Sequence, residues 1–417
     1  MGCVIIGAGA AGMQAALACR KTWPDRQVTV IDSEAEVGYY RTLLPQFINR
    51  TLTEDKLFFW KLQNDLNLDV RTGISVDAID RDNRTLHLSD NRRLDYRRLI
   101  VASGGRPVVP PICRVPAGTG IFPVRNLAVA RQARKWLQVN PKVAILGGGL
   151  VGVKMAAHLA GFNFQVTLIE REPQLLPQAL STEAANLVAR HLENKGISLC
   201  LEQTVNDLHI TDARLEAVRV DERWIPCGTL FIAAGSVPEL GFLRDSGLLT
   251  EGRLEVTASL QTSDSAIFAA GDAVTIVDGD HYTPWTWPQA VVQGKLAAAN
   301  LYAGAPGALP RLTRVNAMNL GGLSLAVLGT PLAGYEKTTY ADPDRNIYRE
   351  LFHRDGRIVG GALVGDTSSA GRLHQLMTTG PAGQTDLEEF VKPRSKALAV
   401  TSQSFRKYRK TATWLAP

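Results

Sequence analysis

The sequence predicts an α/β fold made of two successive nucleotide-binding units followed by a smaller α+β domain. Three observations predict it. A strand–glycine turn–helix pattern occurs twice, each copy is followed by a strand ending in a carboxylate, and 417 residues exceed the usual reach of a single hydrophobic core.

The first unit opens with the β-branched run Val4-Ile5-Ile6, then Gly7-Ala-Gly9-Ala-Ala-Gly12 and a small-residue helix through Ala15, Ala16 and Ala18. The first glycine permits a tight turn, the second lets backbone approach a pyrophosphate, and the third lets the helix pack closely on the strand. The helix N-terminus adds donors and a favourable field for an anion. Val28-Thr29-Val30-Ile31 then ends in Asp32, twenty residues past Gly12, where a carboxylate can accept hydrogen bonds from ribose hydroxyls.

The second unit repeats the plan. Val143–Leu146 leads into Gly147-Gly-Gly149-Leu-Val-Gly152, and Gln165–Ile169 ends in Glu170. A carboxylate at that place suits the free 2′-hydroxyl of NADH and repels the 2′-phosphate of NADPH, although Arg171 beside it tempers the preference. Two Rossmann-like domains in one chain are therefore expected.

The rest of the composition narrows the chemistry. Cys3, Cys19, Cys113, Cys200 and Cys227 form no C-x-x-C pair and no spacing suited to zinc or an iron–sulfur cluster, and the seven histidines form no ligand group. Redox chemistry must then use an organic cofactor. The chain is 45% hydrophobic and 21% charged, with no run long enough to span a membrane and no basic leader before Cys3, so a cytoplasmic protein is expected. The net charge of +6 belongs to the end of the chain: residues 392–417 carry seven basic and no acidic side chains, leaving the body almost neutral. That distribution argues against nucleic-acid binding.

In chain order, further motifs support a family resemblance. Leu99-Ile-Val-Ala102-Ser-Gly104 resembles a hydrophobic strand ending in A-T-G, and Gly235-Ser-Val-Pro238 a closing G-x-x-P turn. Ile267-Phe-Ala-Ala-Gly271-Asp272 resembles a second FAD fingerprint, followed by a helix with Trp287, Ala290, Gln293 and Gly294. Over roughly residues 2–380 the chain resembles the pyridine nucleotide–disulfide oxidoreductases, and within them the rubredoxin and ferredoxin reductases and the flavin part of NADH-dependent nitrite reductases.

The resemblance implies an FAD domain split into 1–113 and 247–310, an NAD domain at 114–246, an α+β domain at 311–391 and a basic tail at 392–417. It implies FAD held by Gly7, Gly9, Gly12, Asp32, Arg41, Ala102, Gly271 and Asp272, and NADH by Gly147, Gly149, Gly152, Glu170 and Gly235. Trp287 could equally be a core residue.

The sequence also departs from the pattern. Many relatives place a redox cysteine after the second FAD strand, where this chain reads Val37-Gly-Tyr39-Tyr40-Arg41-Thr-Leu-Leu-Pro45 and has no cysteine between Cys19 and Cys113. The segment resembles the Y-x-R-P-x-L-S-K pattern of carrier reductases, with Gln46 in place of the lysine. The glutamate that pairs with that lysine in relatives is here Lys154. A cation near flavin N1 or N5 favours the anionic reduced form, so Lys154 and Arg41 are expected to tune the flavin. The alternative for Lys154 is an exposed position on its helix.

The expected reaction is hydride transfer from NADH to FAD, then electron release to an acidic carrier protein such as a rubredoxin or ferredoxin. Two alternatives stand beside it: an electron-entry subunit with an iron–sulfur partner, and a quinone reductase lying on a membrane through its basic, aromatic-bearing tail.

Overall fold

A computed structural model of the chain describes residues 2–59, 68–162, 164–277, 285–310, 314–329, 334–355 and 357–379. The basic tail singled out above lies outside the described residues. The helices are α1 (Ala10–Thr22), α2 (Leu44–Ile48), α3 (Leu127–Trp136), α4 (Leu150–Ala160), α5 (Thr182–Asn194), α6 (Trp287–Asn300) and α7 (Ala370–Thr379).

Two five-stranded parallel sheets share a spatial plan and differ in one edge strand, which comes last in the chain in the first sheet (Ile267–Ala269) and first in the second (Ile121–Pro123). In the first, the strand order is Ile267–Ala269, Arg98–Val101, Cys3–Ile6, Val28–Asp32, Asp69–Thr72. In the second it is Ser198–Cys200, Gln165–Ile169, Lys142–Leu146, Thr229–Ile232, Ile121–Pro123. The central strands are β-branched and apolar runs because both faces are covered, as the fully buried Cys3–Ile6 and Thr229–Ile232 show.

In each sheet the strand before the glycine turn lies between the strand that follows it in sequence and one that arrives much later. This reversal of strand order opens a crevice beyond the carboxyl ends, where open α/β sheets bind ligands. The first sheet also joins distant parts of the chain, since Ile267–Ala269 pairs in parallel with Leu99–Val101. The two crossings between the sheets run side by side as an antiparallel ribbon of Gly105–Pro107 and Ser236–Pro238.

The remaining unit is a five-stranded antiparallel sheet, ordered Val315–Asn319, Ser324–Gly329, Arg357–Gly365, Ile347–Arg354, Glu336–Asp342. Helix α7 covers one side through Leu373 against Ala326, Leu328, Leu351 and Leu363. The other side joins the core of the second unit, where Leu325, Val327 and Ala362 pack with Val188 and Leu192 of α5.

Candidate functional site

The two glycine turns are built alike, residue for residue. Gly7 (φ +97°) and Gly147 (φ +115°) adopt the left-handed conformation that favours glycine. A Cβ on them would stand 2.2 Å from the Ala102 carbonyl oxygen and 2.3 Å from that of Ala233. On Gly12 or Gly152 a Cβ would stand 1.8 Å from the carbonyl oxygen of Gly7 or Gly147. Gly9 and Gly149 differ, for a Cβ there meets no protein atom within 4 Å. They cap α1 and α4 without a side-chain hydrogen bond, so the first-turn N–H groups face open crevice. Two glycines in each turn thus serve packing, and one leaves room for a ligand.

The carboxylates ending the neighbouring strands hold these turns. Asp32 Oδ2 accepts from Ala8 N at 2.6 Å and Oδ1 from Glu34 N at 2.8 Å. Glu170 Oε2 accepts from Gly148 N at 2.5 Å and Oε1 from Glu172 N at 3.0 Å. Each oxygen keeps a second lone pair for a ribose hydroxyl, so a bracing role adds to the one expected from sequence. Arg171 pairs with Glu172 at 3.1 Å.

At the end of the 267–269 strand, Gly271 turns with φ +80° and donates its N–H to Gln293 Oε1 on α6 at 2.6 Å. Asp272 follows and pairs with Arg125 at 2.8 Å. Arg125 also donates to the Gly105 carbonyl at 3.1 Å, so its guanidinium closes the first crevice from the side of the second unit. Sequence reasoning passed over Arg125, whose only local sign is its place before the Asn126 cap of α3.

Arg41 sits in a polar network of its own unit. It pairs with Glu34 at 2.6 Å and donates to the Tyr39 hydroxyl at 2.8 Å and the Arg125 carbonyl at 3.0 Å. Tyr39 is buried; its hydroxyl donates to Glu34 and accepts the N–H of Leu127 at 3.1 Å, and burial raises its pKa. Tyr39 and Arg41 therefore clamp the 125–127 turn that delivers Arg125 to Asp272.

Lys154 does not point into solvent. Half-buried on α4, it donates to the Thr42 carbonyl at 2.7 Å, and burial lowers its pKa below the usual lysine value. One turn later the His158 carbonyl accepts from Asn49 at 3.1 Å, and burial, then the Lys154 charge, lower the imidazole's pKa. The helix of the second crevice thus rests on the 42–49 segment of the first unit. Trp287 packs with Tyr40 and Phe59 in a cluster with centroids 5.0 and 5.1 Å apart.

The five thiols lie in or against the hydrophobic cores of the two units. Burial pushes Cys113 up to about 11 and Cys227 up to about 12, which keeps both protonated near neutral pH.

Comparison with known proteins matches residues 1–294 to the family described as pyridine nucleotide-disulphide oxidoreductase. The chain belongs to that family. Residues 315–380 match the rubredoxin NAD+ reductase C-terminal domain, which coincides with the antiparallel sheet and α7. This oxidoreductase is 28% identical over 405 residues to an NADH oxidase of Methanocaldococcus jannaschii, covering 90% of each chain. It is also 28% identical to a rubredoxin-NAD(+) reductase of Alcanivorax borkumensis, over 87% of this chain and 94% of the relative. Its fold matches the crystal structure of a covalent putidaredoxin reductase–putidaredoxin complex with a TM-score of 0.85, at 21% identity and over 93% of this chain and 97% of the other.

The first crevice fits FAD on its own chemistry: an open glycine, uncapped helix donors for a pyrophosphate, and the Asp272 carboxylate and Arg125 guanidinium beside the turn.

Proposed function

We propose that this oxidoreductase takes hydride from NADH onto FAD and passes the electrons to a separate carrier protein of the rubredoxin or ferredoxin type. The observation that carries the proposal is the pair of matching crevices in contact, with Lys154 of one resting on the segment that borders the other. FAD supplies the chemistry when bound, accepting a two-electron hydride and releasing electrons singly. The protein's residues bind and orient. Gly7, Gly9, Gly12 and Asp32 would receive the adenine-side half of FAD, and Ala102, Gly271 and Asp272 its flavin-side half. Gly147, Gly149, Gly152, Glu170 and Gly235 would receive NADH. Lys154 brings a positive charge to the flavin side, while Arg41 acts by fixing Arg125.

The placement of the thiols in or against the two cores, with Cys113 and Cys227 held protonated, favours a separate acceptor over a protein disulfide. The relatives named above include a carrier reductase of nearly the same length. Residues 1–113 with 247–310, 114–246 and 311–391 form the FAD, NAD and C-terminal domains in this reading. The basic segment 392–417 steers an acidic carrier, and the protein works in the cytoplasm. No helix among the described residues is long and apolar enough to cross a membrane.

The test is steady-state reduction of rubredoxin, a [2Fe–2S] ferredoxin and a soluble quinone by NADH and by NADPH. Preference for NADH and for one protein carrier supports the reading. Equal use of NADPH contradicts the role given to Glu170, and exclusive use of the quinone contradicts the carrier.

A further inference from the structure

Away from both crevices, α5 and the antiparallel sheet enclose a groove. Its main chamber of about 400 Å³ lies against His191, Leu323, Arg345 and Asp366, and an adjoining one of about 210 Å³ against Leu187, Arg190 and Pro343. Together they are in the size range of small-molecule sites. Leu323 and Ile347, both buried, line its apolar part.

The walls carry an excess of available positive charge. Asp366 is the carboxylate that lines the main chamber, and it is occupied: Oδ2 accepts from the buried Arg349 at 2.6 Å and Oδ1 from Ser368 N at 3.0 Å. Arg345 is 60% exposed and stands 3.9 Å from Asp342, too far for a close charge-assisted pair. Arg190 is exposed and forms no ion pair among the described residues. His191 Nε2 lies 2.8 Å from the Leu320 carbonyl, which fixes the ring at the rim.

We propose that this groove binds a small organic anion, a phosphate or carboxylate on an apolar body, with Arg190 and Arg345 receiving the charge and Leu187, Leu323 and Ile347 the body. A guanidinium suits both headgroups because its fork matches their oxygen spacing. The site would join α5 to the C-terminal sheet, and it is independent of the reaction proposed above.

The test titrates the flavin-loaded protein with phenyl phosphate and benzoate by calorimetry, with inorganic phosphate and phenol as controls, in wild type and in the double variant Arg190→Gln/Arg345→Gln. Both arginines are exposed, so the variant should fold, and an unchanged thermal midpoint would verify it. Saturable binding of either aromatic anion, weakened at least tenfold in the variant, supports the proposal. Phenyl phosphate alone would assign a phosphate ester, and benzoate alone a carboxylate. Binding unaffected by the double substitution, no binding of either anion, or inorganic phosphate and phenol binding as tightly as the anions would overturn it.

Discussion

Alanine at the second and third glycines of the NADH turn should separate ligand binding from folding. Gly149 has φ −75° and ψ −174°, which alanine adopts without strain, and no protein atom lies within 4 Å of its Cβ position. Gly149→Ala loses only the small advantage of glycine over alanine at a helix N-cap, about 0.5 kcal/mol, or a degree or two in thermal midpoint. Its methyl would occupy the space into which a pyrophosphate must come, so NADH binding should weaken at least tenfold, or about 1.4 kcal/mol. Gly152→Ala is the opposite case. Its Cβ would stand 1.8 Å from the Gly147 carbonyl oxygen, a backbone atom that cannot swing aside. Moving helix from strand should cost about 3 kcal/mol, or roughly 6–12 °C. Thermal unfolding and the NADH concentration dependence of anaerobic flavin bleaching read the two effects separately. Native affinity in Gly149→Ala, or equal destabilisation in both variants, would refute the reasoning.

Arg125→Ala should lose flavin at least tenfold more readily than wild type on dilution, because Asp272 loses its partner and the crevice its side wall; unchanged flavin retention would show the contact to be incidental. Lys154→Glu should lower the flavin midpoint potential by about 30 mV or more, equivalent to about 1.4 kcal/mol for a two-electron couple, and an unmoved potential would remove Lys154 from the site. In the C-terminal sheet, Glu350 is fully buried and accepts from Ser181 N at 3.2 Å, with its pKa raised by that burial. Its stabilising contribution is complete below the unfolded value of about 4.3 and is lost as pH rises through the raised folded value. Glu350→Gln should therefore flatten the fall in thermal midpoint across that window, and parallel pH curves would count against it. Deleting residues 392–417 should slow reduction of an acidic carrier at low salt and leave NADH bleaching unchanged; equal loss of both would point to a folding role.

The glycine turns and their carboxylates were legible in the sequence because each is a local pattern: strand, turn and helix follow within twenty residues, and the left-handed φ at Gly7 and Gly147 is a local demand. Asp272 was legible through its neighbours in a fingerprint. The split first sheet was implied by family resemblance, and the parallel pairing of Ile267–Ala269 with Leu99–Val101 shows how the chain returns to it. What could not be read were contacts between residues far apart in sequence. Arg125 meets Asp272 across 147 positions and Lys154 meets Thr42 across 112, so neither partner is marked by spacing. Asp32 and Glu170 were assigned to ribose, but nothing in the sequence showed that the same carboxylates hold the turn N–H groups. Arg41, expected at the flavin, also pairs with Glu34, whose charge no motif brought to attention.

Anaerobic stopped-flow spectroscopy in two mixes tests the central claim most directly: NADH against the oxidised yellow protein, then the reduced protein against oxidised rubredoxin or ferredoxin. The account expects NADH to bleach the flavin in a saturable phase and one carrier to restore the yellow colour in single-electron steps. Failure of NADH to bleach the flavin, or reduced protein that no carrier reoxidises, would contradict it.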